Sequence, residues 1–355
     1  MKDESGYARH MGSLRKSALC RLSLVLAAGV VATMASLGAL AADKPDANSD
    51  GILTLQFEND YFGHADGHFT HGTRIAWMSG ENDVPDWAHE AASHVPLFAE
   101  GASTRMVYSL SQSIFTPNDI RDPEVIPNDR PYAGWLHAGF GLVSVSDTRL
   151  DNLELSLGVV GPASLAEDVQ TTWHRAFDFP HPAGWSHQLK DEPAVMLTYA
   201  RTWRHWRTFP FLGLSGDIEP DVSASLGNVL TQGGAGFTVR IGNDLSQHFD
   251  YGPPRIQPSL PGSDFFAVRD GLGWYVFAGA EGRAVGHNIF LDGNTFAKSY
   301  SVDRRVLVGD LQIGLAVFIG RVRLAYTQVY RTKEFVTQDH ADQFGSISLS
   351  VAFRF

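Results

Sequence analysis

Cysteine is nearly missing from this 355-residue chain: the single one, Cys20, lies close to the start. It precedes the long apolar stretch of the leader, whereas the lipid-bearing cysteine of a lipoprotein follows such a stretch. The chain beyond it has no thiol, which excludes a disulfide framework whatever the redox state of its compartment. Positive charge is also scarce, with 28 Lys and Arg against 39 Asp and Glu and a formal net charge of −11. Lys2, Arg9, Arg15, Lys16 and Arg21 all fall in the leader, so the remainder is more acidic still. No basic stripe is left to follow phosphates, which argues against nucleic acid as a partner. Past residue 40 no segment approaches the roughly 18 consecutive apolar residues of a membrane helix. A closed β-barrel needs no such run, so a membrane protein is not excluded.

The leader itself is informative. Arg15, Lys16 and Arg21 precede an apolar run from Leu22 to Leu40 that exits through Ala39-Leu40-Ala41. A positive start, an apolar middle and a small-residue exit predict a secretory signal peptide over residues 1–41. Met11 is a possible initiator, and an uncleaved membrane anchor is the competing reading. Residues 42–355 are then expected to form one domain.

What the chain has in quantity is period-2 alternation. In "GSISLSVAFRF", Ile347, Leu349, Val351, Phe353 and Phe355 share one face, and Ser346, Ser348, Ser350, Ala352 and Arg354 the other. "GDLQIGLAVFIG" and "RVRLAYTQVY" repeat the pattern on either side of Gly320, which predicts a tight hairpin. Similar stretches lie near 52–61, 69–79, 104–115, 132–145, 152–161, 193–206, 209–227, 234–243 and 272–291. Many exceed the 5–6 residues usual in a soluble sandwich and match the roughly 9–11 that a tilted strand needs to cross a bilayer. The reading is all-β: a transmembrane antiparallel β-barrel of about 12 strands in the bacterial outer membrane, with a secreted β-sandwich as the alternative. A terminal Phe355 on an alternating last strand resembles the assembly signature of such barrels. Residues 80–103 and 244–271 read as loops. Residues 162–192 hold a short helical insertion near 164–177, started by Pro162 and stopped by Pro180.

Polar groups collect at one end of the first two strands, in "FENDYFGHADGHFTHGTRIAW". Alternation puts Ile52, Thr54, Gln56, Glu58 and Asp60 on the inner face of the first strand, and Leu53, Leu55, Phe57, Asn59 and Tyr61 outside. On the second, Thr70, Gly72, Arg74 and Ala76 are expected inside, with Phe69, Thr73, Ile75 and Trp77 outside. Asp60 and Thr70 would then both face the barrel mouth. In the helical insertion Gln170 and His174 stand four apart, on one face.

Several stretches resemble the lipid A 3′-O-deacylases, calcium-dependent outer-membrane barrels of Gram-negative bacteria. They are "FENDYF", "FTHGTRIAW", "SLSQSIFTP", "NDRPYAGWLHAGFGL", "GPASLAEDVQTTWHRAFDFPHPAGW", "QLKDEP" and "LGNVLTQGGAGFTVRIGND", in family order over about residues 52–244. The resemblance implies hydrolysis of the ester-linked 3′-acyloxyacyl chain of lipid A, with lipopolysaccharide as the partner and Ca2+ as the cofactor. It points to His174 as general base, Gln170 as an active-site amide, Asn59 and Asp60 as the first-strand pair with Asp60 binding calcium, and Thr70 from the second strand. A basic residue after the third strand is not clearly matched; Arg121 in "NDIRDPE" is the nearest candidate for substrate binding.

The chemistry is coherent on its own terms. Ester hydrolysis needs a nucleophile, a base near neutrality and a stabiliser for the oxyanion. Histidine suits the base, and a carboxylate with amide and carbonyl oxygens suits calcium. That pairing implies water as nucleophile; a serine–histidine–asparagine arrangement of the phospholipase type is the alternative. Zinc on His64, His68 and His71 is a weaker option. "NDRPYAGW" is read as a turn in which Asp129 and Arg130 pair locally. Trp135, Trp185, Trp203 and Trp206 are read as belt or packing aromatics. A passive barrel, channel or scaffold is the non-enzymatic reading.

Overall fold

The computed structural model describes residues 50–353 apart from 64–67, 244, 246–249, 257–261 and 269. The expected signal peptide, His64 and Phe355 lie outside the described residues. Thirteen strands follow one another: β1 (Gly51–Asn59), β2 (His68–Met78), β3 (Ser103–Thr116), β4 (Ala133–Val145), β5 (Arg149–Val160), β6 (Glu192–Trp203), β7 (Arg207–Phe211), β8 (Leu214–Gly227), β9 (Leu230–Gly242), β10 (Leu272–Asn288), β11 (Leu307–Ile319), β12 (Val322–Arg331) and β13 (Asp342–Phe353). All neighbours pair antiparallel, β1 pairs with β13, and β6 pairs with β8 to close the ring. Twelve strands thus form a closed barrel, and β7 is a short extra strand on the edge of β8. The stretch 209–227, expected as one strand, is divided between β7 and β8 at Leu212-Gly213, both with positive φ. The β11–β12 hairpin turns at Gly320 as expected, in the left-handed conformation (φ 56°).

The alternation sorts residues as a membrane barrel requires. Leu55, Ile75, Leu110, Phe140, Leu197, Phe237 and Ile313 all stand exposed on the outside. That much exposed apolar surface is stable against lipid, not water, and it rules out the sandwich reading. Among the described residues no helix is long and apolar enough to cross a membrane.

Inside, the barrel is filled. The loop between β9 and β10 does not stay outside: Asp250, Tyr251, Phe265 and Phe266 are buried in the lumen. Asp250 is held by Arg240, Arg323 and the Tyr275 hydroxyl, and Asp264 receives both arms of Arg74 at 2.8 Å. Arg74, Arg240 and Arg323 are tolerable as buried charges because each meets a carboxylate within hydrogen-bond distance. At the opposite end an apolar layer of Phe69, Phe115, Trp135, Phe290 and Phe344 closes the mouth, with Phe290 stacked on Phe115 at 4.0 Å. Phe290 comes from a one-turn helix, Ile289–Asp292.

One sidedness expectation fails. Phe69 is 2 % exposed and faces inward, because a bulge between Phe69 and His71 takes Thr70 out of register. A bulge adds one residue to a strand, so the face changes on either side of it. Of the two roles expected for Trp135, belt or packing, the structure shows packing: it lies inside, stacked on His137 at 3.7 Å.

Candidate functional site

The helical insertion is α1 of the site: Ala166–Phe177, preceded by a single 3-10 turn at Pro162–Ser164. It lies against the outer face of the barrel. Gly134 of β4 makes the approach possible, since a Cβ there would sit 2.1 Å from Ser164 Oγ and 2.3 Å from the Ala166 Cβ. The Gln112 amide of β3 donates to the Ser164 carbonyl at 2.7 Å. Further along, Trp173 packs on Phe57 (5.7 Å between ring centroids) and on His71 (6.2 Å), both on the outward face of β1 and β2. The helix therefore roofs the ends of β1 to β4, and it explains why His71 is buried on an outward face.

The helix ends in a way that orients His174. Asp178 takes the left-handed conformation (φ 56°) and turns the chain back, so that the Phe179 N–H donates to the His174 carbonyl at 2.8 Å. This is the usual geometry of a helix C-terminus. It brings the Pro180 carbonyl to 2.6 Å from His174 Nδ1. A carbonyl only accepts, so Nδ1 carries the proton and Nε2 keeps its lone pair in the neutral ring. His174 is buried, and its ring meets Phe179 edge-on at 5.6 Å. Phe179 in turn touches Tyr61 at 5.7 Å, next to Asp60.

Gln170, one turn before, is 3 % exposed. Its Oε1 accepts the Trp185 indole N–H at 2.8 Å, while Nε2 has no hydrogen-bond partner among the described residues. A buried amide donor left unmet costs about 1–3 kcal/mol, so this one marks a place where a further acceptor is wanted.

The strand-borne half is built at the end of β1. Asn59 Nδ2 donates to the Thr70 carbonyl at 2.6 Å, and Asn59 Oδ1 accepts the Tyr61 N–H at 2.9 Å. Asp60 starts a 3-10 turn, Asp60–Gly63, and is 4 % exposed. Thr70 Oγ1 lies 2.6 Å from Thr116 Oγ1. Asn59, Asp60 and Thr70 are thus one local unit, reached from His174 through Phe179 and Tyr61. Arg121 stands apart: it is exposed on the β3–β4 loop with its guanidinium forked onto Asp119 at 2.9 and 3.2 Å. The expected Asp129–Arg130 pair is not formed. Arg130 reaches Glu334 at 3.4 Å, and Asp129 accepts the Asn118 and Arg130 N–H groups and faces His68. Burial opposes ionisation of Asp129, but these contacts, with His68 foremost, hold its carboxyl below the usual range.

His68 and His71 do not converge as a zinc pair. His68 faces Asp129 and Asp342, and His71 turns outward to Thr73. Among the described residues no group of three or more His, Cys, Asp or Glu is arranged to hold a metal. Sequence patterning missed the Trp185–Gln170 bond and the role of the Pro180 carbonyl, because both depend on the fold of an irregular segment.

A closed twelve-strand barrel with an apolar outer wall and a helix laid over one rim is an outer-membrane β-barrel protein. The chain belongs to the family described as outer membrane protein LpxR, whose model matches residues 24–353. Among solved structures it is similar to LpxR from Salmonella typhimurium, at 23 % identity and a TM-score of 0.68, covering 85 % of this chain and all of that one. The β domain of the Bordetella autotransporter BrkA also matches, at 10 % identity and a TM-score of 0.40, over 87 % of this chain and 100 % of that one. No curated protein matches the chain with significance.

Proposed function

We propose that the protein is a lipid A deacylase that hydrolyses an ester-linked acyl chain, the 3′-acyloxyacyl chain in the first instance, at the outer wall of the barrel. The observation that carries this reading is the fixed tautomer of His174: Nδ1 is committed to Pro180, which leaves Nε2 as a base. It sits on a helix facing lipid rather than in the lumen, where a lipid substrate can reach it.

In this reading His174 Nε2 takes a proton from water as the water attacks the ester carbonyl. The unmet Gln170 Nε2 donor is suited to the oxygen on which charge develops. Asn59 holds the Thr70 carbonyl and so fixes the two strand ends against each other. The donors at the corner are oxygens: the buried Asp60 carboxylate, the Asn59 amide oxygen and the Thr70 hydroxyl. That set fits a hard cation such as calcium and not zinc, with main-chain carbonyls and water completing the shell. Calcium, when bound, would polarise the ester carbonyl. Arg121 is a candidate for substrate phosphate only if Asp119 releases it.

The channel reading has less support, because the strap from the β9–β10 loop and the Phe290 layer obstruct the lumen at both ends. Among the described residues no serine stands in the contacts of the His174 ring, which meets Pro180 and Phe179. The test is mass spectrometry of lipid A from cells with and without the protein. Loss of one acyl chain only when it is present supports the assignment; identical lipid A under calcium-replete conditions refutes it.

A further inference from the structure

The lumen-filling strap has a tip as well as a base, and the tip ends beneath the candidate site. Its base is bolted by Asp250 and Asp264 to arginines of β2, β9 and β12. From there it climbs along the inner face of β1. Gln56 Nε2 donates to the Pro254 carbonyl at 2.7 Å, and the Ile256 N–H donates to Glu58 Oε1 at 3.1 Å. Arg255 Nε lies 3.8 Å from the same oxygen, with its side chain 4 % exposed and its guanidinium nitrogens without hydrogen bonds to the described residues. Ile256 also fills the space left by Gly72, the residue opposite Glu58 on β2, where a Cβ would come within 3.2 Å of it.

Glu58 is fully buried, and it is the last luminal residue of β1. Immediately after it the chain leaves the sheet: Asn59 reaches outward to Thr70, and Asp60 begins the 3-10 turn. The corner is therefore clamped from both sides of one strand, by Asn59 outside and by Glu58 inside. A buried carboxylate is costly to keep without partners. Among the described residues the Ile256 N–H, the Gln56 amide (3.2 Å) and the Arg255 cation are such partners, and Ile256 and Arg255 belong to the strap.

We propose that Glu58 is a positioning residue for the Asn59–Asp60 corner, and that the strap tip Pro254–Ile256 is what holds it there. The site on the outer wall is then set from inside the barrel by a segment rooted at the far end. This rests on the deacylase reading for its effect on rate, but not for its effect on local order. A residue that merely supports folding would change the amount of active protein; a positioning residue changes the turnover of each folded molecule.

The experiment uses the full-length protein in detergent, with heat-modifiable mobility to count folded barrels. Two quantities are read: hydrogen exchange of a peptide spanning residues 57–63, and kcat and KM on purified lipid A. Glu58→Ala is expected to speed exchange in that peptide and to lower kcat on the order of tenfold to a hundredfold with KM little changed, as a small misplacement does. Glu58→Gln, whose amide oxygen still accepts from Ile256, is expected to recover most of both. Arg255→Met is expected to move both quantities in the direction of Glu58→Ala, and it decides together with Glu58→Gln if the alanine variant does not fold. Unchanged exchange in the folded variants, or a kcat loss that Glu58→Gln does not relieve, overturns the proposal. An unmodified chain that orders the peptide yet leaves lipid A intact refutes the deacylase reading while the exchange data still decide the role of Glu58.

Discussion

The His174 imidazole and the Pro180 carbonyl are joined by a 2.6 Å hydrogen bond, across a chain reversal that Asp178 makes in the left-handed conformation. The bond fixes which nitrogen can act. Asparagine at position 174 can still donate to Pro180 but offers no base. His174→Asn is therefore expected to insert and keep its heat-modifiable fold while losing on the order of 10²–10⁴ in rate, the usual worth of a general base. Lipid A mass spectrometry on cells matched for barrel abundance reads the outcome, and trimming at the parent level would show His174 to be packing.

Gln170 tests the stabiliser. Its buried Nε2 has no partner among the described residues, whereas its Oε1 is engaged by Trp185. Removing one donor of this kind typically costs about 10²–10³ in kcat. Gln170→Glu keeps the acceptor for Trp185 and removes the donor, so it should lose the rate and retain the helix. Equal kcat in Gln170→Glu and the parent would assign Gln170 to packing alone.

Gly134 should matter for a geometric reason. A methyl group there meets Ser164 and Ala166 at little more than 2 Å, so the start of the helix must lift off the wall. Gly134→Ala is expected to leave the barrel folded and to lower deacylation, with faster hydrogen exchange in residues 162–177. An active variant with unchanged exchange would show that the helix does not need its seat.

The lumen offers a prediction about what the protein does not do. Ion-paired strap residues fill one end, and Phe69, Phe115, Phe290 and Phe344 close the other. Reconstituted in planar bilayers, the folded barrel should show no steady ohmic conductance. Stable open steps at the current expected of a twelve-strand pore would revive the channel reading.

Much of this was legible beforehand, and the exceptions share a cause. Strand after strand followed its period-2 pattern, because a wall with lipid outside and polar groups inside constrains every position. The split at Leu212-Gly213 went unseen since alternation continues across it. Phe69 was placed on the wrong face because a bulge leaves no mark in composition. Gln170 and His174 were singled out by the resemblance to the lipid A 3′-O-deacylases; their spacing says only that they share one face of the helix. The β9–β10 loop, rich in proline and glycine, gave no hint that it would turn inward; that depends on the arginines of β2, β9 and β12 finding its carboxylates and carbonyls.

Asp60 carries the last prediction. It is the carboxylate that follows Asn59 at the Asn59–Thr70 corner, buried to 4 % exposure, and a carboxylate is the usual anionic ligand of a hard cation. If the cation is calcium, a strong chelator should abolish hydrolysis, and calcium should restore it better than magnesium, which gives up its waters reluctantly. Asp60→Asn keeps the shape and removes the charge, so it should behave as the chelated parent does and respond weakly to added calcium. Calcium should also raise the temperature at which the parent loses its heat-modifiable form, and it should do so less for Asp60→Asn, because a ligand that binds only the folded state stabilises it. The two readouts separate the possibilities. Hydrolysis that persists in chelator removes the metal from the reaction, and an equal calcium shift in both proteins places the ion somewhere other than Asp60.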